Sequence, residues 1–159
     1  MDSFSIKMEL NAPVPVVYKA LTSLDDFKAW WTKFAEVETR VGGKAQFRFP
    51  KAGFFCNFVV TALEPNKRIE WVCVECRHPA STKFKNRSDW IGTKVIFTLK
   101  PAGKDKTKWK FQHEGLTTEL ECYDSSTKGW KHFFYGSFKP YVERGAGQPY
   151  NDDSENNID

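Results

Sequence analysis

HEGLTTELECYDSSTKGWKHFFYGSFKPYVERG runs from His113 to Gly145, and its second half has the period of one helix. Tyr123, Trp130, Phe134, Phe138 and Tyr141 recur at spacings of four, seven and eleven, which places them on a single face. Lys128, His132, Tyr135, Lys139 and Glu143 fall on the other face. A helix this aromatic along one side needs a broad apolar cover, and a curved sheet supplies one. Gly129 and Gly136 flank the aromatic face, which suggests a close approach of helix to sheet. Pro140 cannot donate to the carbonyl of Gly136, so a kink is expected there.

The rest of the chain supplies the sheet. Phe4, Ile6, Met8 and Leu10 alternate with polar residues, as a half-buried strand does. Pro13 then opens a short helix to Thr22 that buries Val14, Val17 and Leu21. Ser23-Leu-Asp25-Asp26 reads as a capping box for a second short helix carrying Phe27, Trp30 and Trp31. From residue 35 the period is two. Ala45, Phe47 and Phe49 share a face, and so do Ile69, Trp71 and Cys73. Residues 54–63 are apolar on nearly both faces and suit a central strand. Val95, Phe97 and Leu99 mark the next strand, and Trp109, Phe111 and His113 the inward face of the last. Thr117 or Thr118 is placed to cap the final helix. Residues 77–90, RHPASTKFKNRSDW, have no period and form a long basic loop of the kind that is often functional.

The expected fold is therefore α+β: two short helices after strand 1, then an antiparallel sheet of six to seven strands wrapping one long C-terminal helix. The 159 residues make one domain, here set at 1–145, followed by a flexible acidic tail at 146–159. The last nine residues carry four acidic groups, so a net charge of +4 leaves +8 on the body. The N-terminus reads as a strand and not as a signal peptide, and no apolar run is long enough to span a membrane. A cytoplasmic protein with free thiols is expected.

Few motifs carry chemistry. Gly42-Gly43 and Gly103 lie in turns without the Lys and Ser/Thr of a phosphate loop, and no Gly-x-Ser-x-Gly elbow occurs. Cys73-x-x-Cys76 with His78 has the spacing of half a zinc site, but no second half follows, and strand parity would send the two cysteines to opposite faces. No metal and no cofactor are expected on that ground. The Lys106, Lys108 and Lys110 row lacks interleaved aromatics, which argues against nucleic acid. Among the three histidines, His113 points inward beside Phe111. It is either a hydrogen-bonded core residue or an acid–base group near neutral pH.

Several stretches together resemble a known family: APVPVVYKALTSLDDFKAWW, VGGKAQFRF, ALEPNKRIEW, GTKVIFTL, His113-Glu-Gly-Leu116 and Gly129-Trp130, in that order over residues 4–144. They resemble the activator of heat-shock protein 90 ATPase homologue family, within the START-like (SRPBCC) superfamily and its helix-grip fold. FFYGSFKPYVERGAGQPY is similar to the bacterial single-domain members. The resemblance implies a cavity between the last helix and the sheet.

Three functions follow as expectations. The first is a non-enzymatic binder of a small hydrophobic or aromatic molecule. Its walls would be Phe47, Phe58, Trp71, Phe97, Trp109, Phe111, His113, Trp130, Phe134 and Phe138. The second is a co-chaperone-like module docking on a chaperone or another protein. The third is a cyclase- or hydrolase-type enzyme using His113.

Overall fold

The computed structural model describes residues 2–151. Seven strands form one antiparallel sheet: β1 (Ser3–Leu10), β2 (Phe34–Val37), β3 (Lys44–Phe49), β4 (Phe54–Glu64), β5 (Arg68–Arg77), β6 (Lys94–Pro101) and β7 (Thr107–Glu114). Their order across the sheet is β1-β7-β6-β5-β4-β3-β2. Two short helices, α1 (Val14–Ala20) and α2 (Leu24–Trp30), join the edge strands β1 and β2. The C-terminal helix begins as α3 (Tyr123–Phe133) and ends as α4 (Lys139–Arg144). This is the helix-grip architecture.

Period-two alternation builds the floor. Val95, Phe97 and Leu99 pair with His113, Phe111 and Trp109 in register, and all six are buried. Strand β4 is interior, yet only Cys56, Phe58 and Val60 are fully buried, so one face carries the core. Strand β5 lies at the centre of the sheet instead.

The register of β4 with β5 shifts at two points, at Thr61 and opposite Asn57 and Phe58, and the second decides where the cysteines face. Asn57 pairs with Glu75, but Phe58 pairs with Cys73, so Val74 is an extra residue in β5. Such a bulge turns the following residues over by one step. Val74 is exposed, and both Cys73 and Cys76 point inward, contrary to the alternation expected from the sequence.

Two capping expectations are also revised. Ser23 is the N-cap of α2 but makes no side-chain cap bond. Its N–H already donates to the Lys19 carbonyl at 2.9 Å, which leaves Asp26 nothing to reach back to. Asp26 is buried and accepts from Lys19 Nζ at 2.9 Å instead. The last helix starts beyond Thr117 and Thr118, at Tyr123, with Cys122 as its N-cap residue.

Between α3 and α4 the chain makes one wide π turn, Phe134–Phe138, directly before Pro140. The widening is the structural answer to a proline that cannot donate to the preceding turn. Trp130, Phe134 and Phe138 are buried as expected, with Phe133 beside them, while Tyr123 and Tyr141 are half-buried. Gly136 faces outward, and a Cβ there would meet nothing within 4 Å, so close approach to the sheet does not explain it. Gly129 is buried.

The chain does not leave the domain at Gly145. It turns back along α2, and Tyr150 N–H donates to the Trp31 carbonyl while its own carbonyl accepts from Lys33 N–H. The chain therefore packs on the domain as far as Tyr150, which is fully buried five residues beyond the boundary expected from the sequence. The acidic stretch 152–159, read as a flexible tail, lies outside the described residues. Among the described residues, no helix is long and apolar enough to cross a membrane.

Candidate functional site

The space between helix and sheet is filled along most of its length. Phe134 sits 4.8 Å from Phe111 and 4.9 Å from Trp109, ring centre to ring centre, and Phe138 sits 5.4 Å from Trp109. Phe47, Phe58, Trp71 and Phe97 close the rest in a chain of contacts at 5.2–6.2 Å. These rings are core.

A cavity of about 350 Å³ opens at one end of this core. That volume falls within the range of small-molecule sites. Its inner wall is Trp31, Phe49, Phe54, Trp90, Trp130 and Phe133. Polar groups stand at the rim, namely Lys51, Ser81, Thr82 and Ser125, and His78 and Ser126 reach deeper. Three structural elements make the mouth: the turn Pro50–Ala52, the turn Ala80–Thr82 inside the long basic loop, and the first turn of α3.

Of the ten residues expected as walls, Trp130 alone belongs to the wall of this cavity. The aromatic stripe runs along the helix that borders this cavity, mostly in its filled part. Trp90 and Phe133 were not anticipated. Trp90 ends a loop without periodicity, and Phe133 lies one residue off the stripe. Trp90 stacks on Trp130 with centroids 5.5 Å apart, and its indole N–H donates to Ser126 Oγ at 3.1 Å. The wall is thus tied to α3 by a stack and a hydrogen bond.

His113 lies behind that wall, fully buried. Trp130 donates its indole N–H to His113 Nδ1 at 3.1 Å, so the ring proton must sit on Nε2. That proton goes to Thr93 Oγ1 at 2.8 Å, whose hydroxyl donates to the Trp90 carbonyl at 2.6 Å. Every polar side-chain atom in this relay from Trp130 to Thr93 has a partner. Burial drives the imidazole pKa down to about 3, so it is neutral at any ordinary pH. The arrangement is that of a structural histidine.

His78 is the reverse case. Its ring lies over Phe54 and pairs with Asp89 Oδ1 at 2.9 Å, both side chains being almost fully enclosed. Burial disfavours the charge, but hydrogen bonds to Asp89, Cys122 and Cys76 outweigh it and raise the pKa to about 11. The buried Cys76 thiol is lowered to about 6, first by its hydrogen bond with Cys73 and, against the burial cost, by the one with His78. Burial raises the Cys56 thiol well above its usual value. All four cysteines are free.

Comparison with known proteins agrees with this architecture. The solution structure of the Aha1 dimer from Colwellia psychrerythraea is 27% identical, with a TM-score of 0.74, covering 92% of this chain and 100% of that one. The MLL2253 protein from Mesorhizobium loti is 20% identical over 84% of this chain and 92% of that one, with a TM-score of 0.68. CalU16 from Micromonospora echinospora is 20% identical over 92% of this chain and 76% of that one, with a TM-score of 0.67. The last two share the fold alone. No curated protein matches the sequence. Family and fold suggest a ligand-binding or co-chaperone-like module. Residues 11–143 match the family described as Activator of Hsp90 ATPase homolog 1-like protein, and with that span matched the chain belongs to it.

Proposed function

We propose that this protein binds a small hydrophobic or aromatic molecule in the cavity at the N-terminal end of α3, without transforming it. The observation that carries this is the cavity of about 350 Å³, walled by six aromatic side chains with its polar groups gathered at the rim and along one side. An apolar body would be desolvated against Trp90, Trp130 and Phe133, at roughly 25 cal/mol for each Å² removed from water. Ser126 offers a hydrogen bond to a polar end. The reading rests on a different wall from the one expected in the sequence. It gives His113 no part in chemistry, because that ring already has a partner on each nitrogen.

The test is a thermal-shift and tryptophan-fluorescence screen of flavonoids, aromatic acids and fatty acids. A true ligand should change the emission of Trp90 or Trp130. Ser125→Trp should then block the mouth and weaken binding by at least about tenfold, since the cavity can hold only one of the two rings. Its circular dichroism should match the parent, because Ser125 is only half-buried. If no compound class binds, or if Ser125→Trp binds like the parent, this site reading fails.

A co-chaperone-like role is the second reading, favoured by the family description and the positive charge of the body. A charge-driven contact with a chaperone should weaken sharply between low and high salt in a pull-down. Absence of such a partner would remove it.

A further inference from the structure

The sequence offers half a zinc site at Cys73-x-x-Cys76, and the fold places the other donors elsewhere. We propose that His78, Asp89 and Cys122 form a binding site for a divalent zinc-like ion at the closed side of the cavity. The three come from separate stretches: the segment just past β5, the end of the basic loop, and the N-cap of α3. One donor atom from each lies within 4.8 Å of the other two. Among the described residues this is the one group of three such side chains close enough to share an ion.

The donor set suits the ion. A thiolate, an imidazole and a carboxylate are common ligands of Zn²⁺, at roughly 2.0–2.3 Å each. Tetrahedral geometry at those lengths separates the donors by about 3.3–3.8 Å. The His78–Asp89 contact at 2.9 Å would open by about half an ångström, and the other two separations, no longer than 4.8 Å, are within reach of the same range. No strand need move, because the donors sit on a loop and a helix end.

The shape also separates this reading from a nucleophilic triad. In a triad the carboxylate and the thiol flank opposite nitrogens of the imidazole, so that a proton passes along a line. Here the donor atoms of Cys122, His78 and Asp89 all lie within 4.8 Å of one another. A closed triangle of donors is a ligand set, and a cation at its centre would take the place of the proton between His78 and Asp89. Zinc takes the Cys122 thiolate and a neutral His78, so their protons leave to solvent. Cys76 stands against the same imidazole outside the trio and serves as its outer partner. The fourth position falls to water or to a donor atom of a molecule in the cavity, which His78 also lines.

The experiment uses the full chain, stripped with a chelator and titrated with Co²⁺ and then Zn²⁺. One equivalent of Co²⁺ should give the thiolate-to-cobalt charge-transfer band and tetrahedral d–d bands, and Zn²⁺ should bleach both. Zinc at about a hundred times its Kd should raise Tm by roughly 5–10 °C. Cys122→Ser should abolish the charge-transfer band, and Cys73→Ser should keep it. Should Cys122→Ser fail to fold, Asp89→Asn serves, with affinity expected to fall at least about tenfold. A parent protein with no cobalt band and no zinc-dependent Tm shift overturns the proposal. A band that survives in Cys122→Ser or a Zn²⁺ affinity unchanged in Asp89→Asn does so too. None of these results depends on whether an organic ligand binds.

Discussion

Replacing His113 by alanine is expected to destabilise the protein by about 3–5 kcal/mol, a loss readable as a lower urea midpoint. Two effects add. Removing a buried ring leaves a void, and the Trp130 indole N–H loses its acceptor. Thr93 keeps its bond to the Trp90 carbonyl, so it suffers less. His113→Phe restores most of the volume without the acceptor and should recover part of the loss. This separates the residue from an acid–base catalyst, which could be removed with little cost to the fold.

The same residue sets an acid limb. Unfolded histidine titrates near 6.5, whereas His113 in the native state holds off protonation to about 3. Between those values the unfolded chain binds a proton that the native one does not, so stability falls as pH falls. From pH 7 to pH 5 this amounts to about 2 kcal/mol, and roughly 4–5 kcal/mol by pH 3. His78 works in the opposite sense. Its native pKa is raised to about 11, so its contribution is complete below 6.5 and fades between 6.5 and 11. Below 6.5 it adds no slope. Glu38, Glu70 and Glu143 have lowered pKa values and take effect below their ordinary range near 4.5. The interval from pH 6.5 to pH 5 holds the His113 slope and a smaller one of the same sign from Cys76, whose native thiol is lowered to about 6. Denaturant curves at the two ends should show both in the parent and only the smaller one in His113→Phe.

Much of the fold was legible because its signals are local. Alternation in β1, β3, β6 and β7 gave the inward face residue by residue, and the four- and seven-residue spacings gave the helix. What failed needed information from across the sheet. The bulge at Val74 inserts one residue opposite Asn57 and Phe58, and nothing in residues 68–77 taken alone announces it. Parity therefore sent Cys76 to the wrong face. The residues expected as walls differ from those that line the cavity for a related reason. An aromatic stripe says that rings are buried, not whether they meet other rings. Phe134 and Phe138 meet Trp109 and fill the gap, whereas Trp130 stands where the sheet and loop draw apart. Phe49, Phe54 and Trp90 belong to a strand end and an aperiodic loop, where spacing carries no message.

Tyr150→Ala should be the other severe substitution, at about 3–5 kcal/mol and roughly 10 °C in Tm. A residue near the end of a chain is ordinarily dispensable. This one is fully buried, with its ring edge-on to Phe49 at 5.3 Å and its hydroxyl accepting the Lys51 N–H at 2.5 Å. Its backbone bridges to Thr32 as a short parallel pair. Gln148 N–H donates to Ser137 Oγ, which in turn donates to the Trp30 carbonyl, so the segment is tied to the π turn as well. Gly147 fits because a Cβ there would come within 2.2 Å of the Ala29 carbonyl oxygen. Tyr150→Phe keeps the ring and loses the hydroxyl, for about 1 kcal/mol. The two variants also report on the cavity. Lys51 and Ala52 form part of its rim, and the Tyr150 hydroxyl holds their turn in place. Ligand affinity should fall further in Tyr150→Ala, where the ring that backs Phe49 is gone, than in Tyr150→Phe, where only one bond to the rim is lost. Equal affinities in both variants would mean that the docked segment stabilises the domain without shaping its cavity.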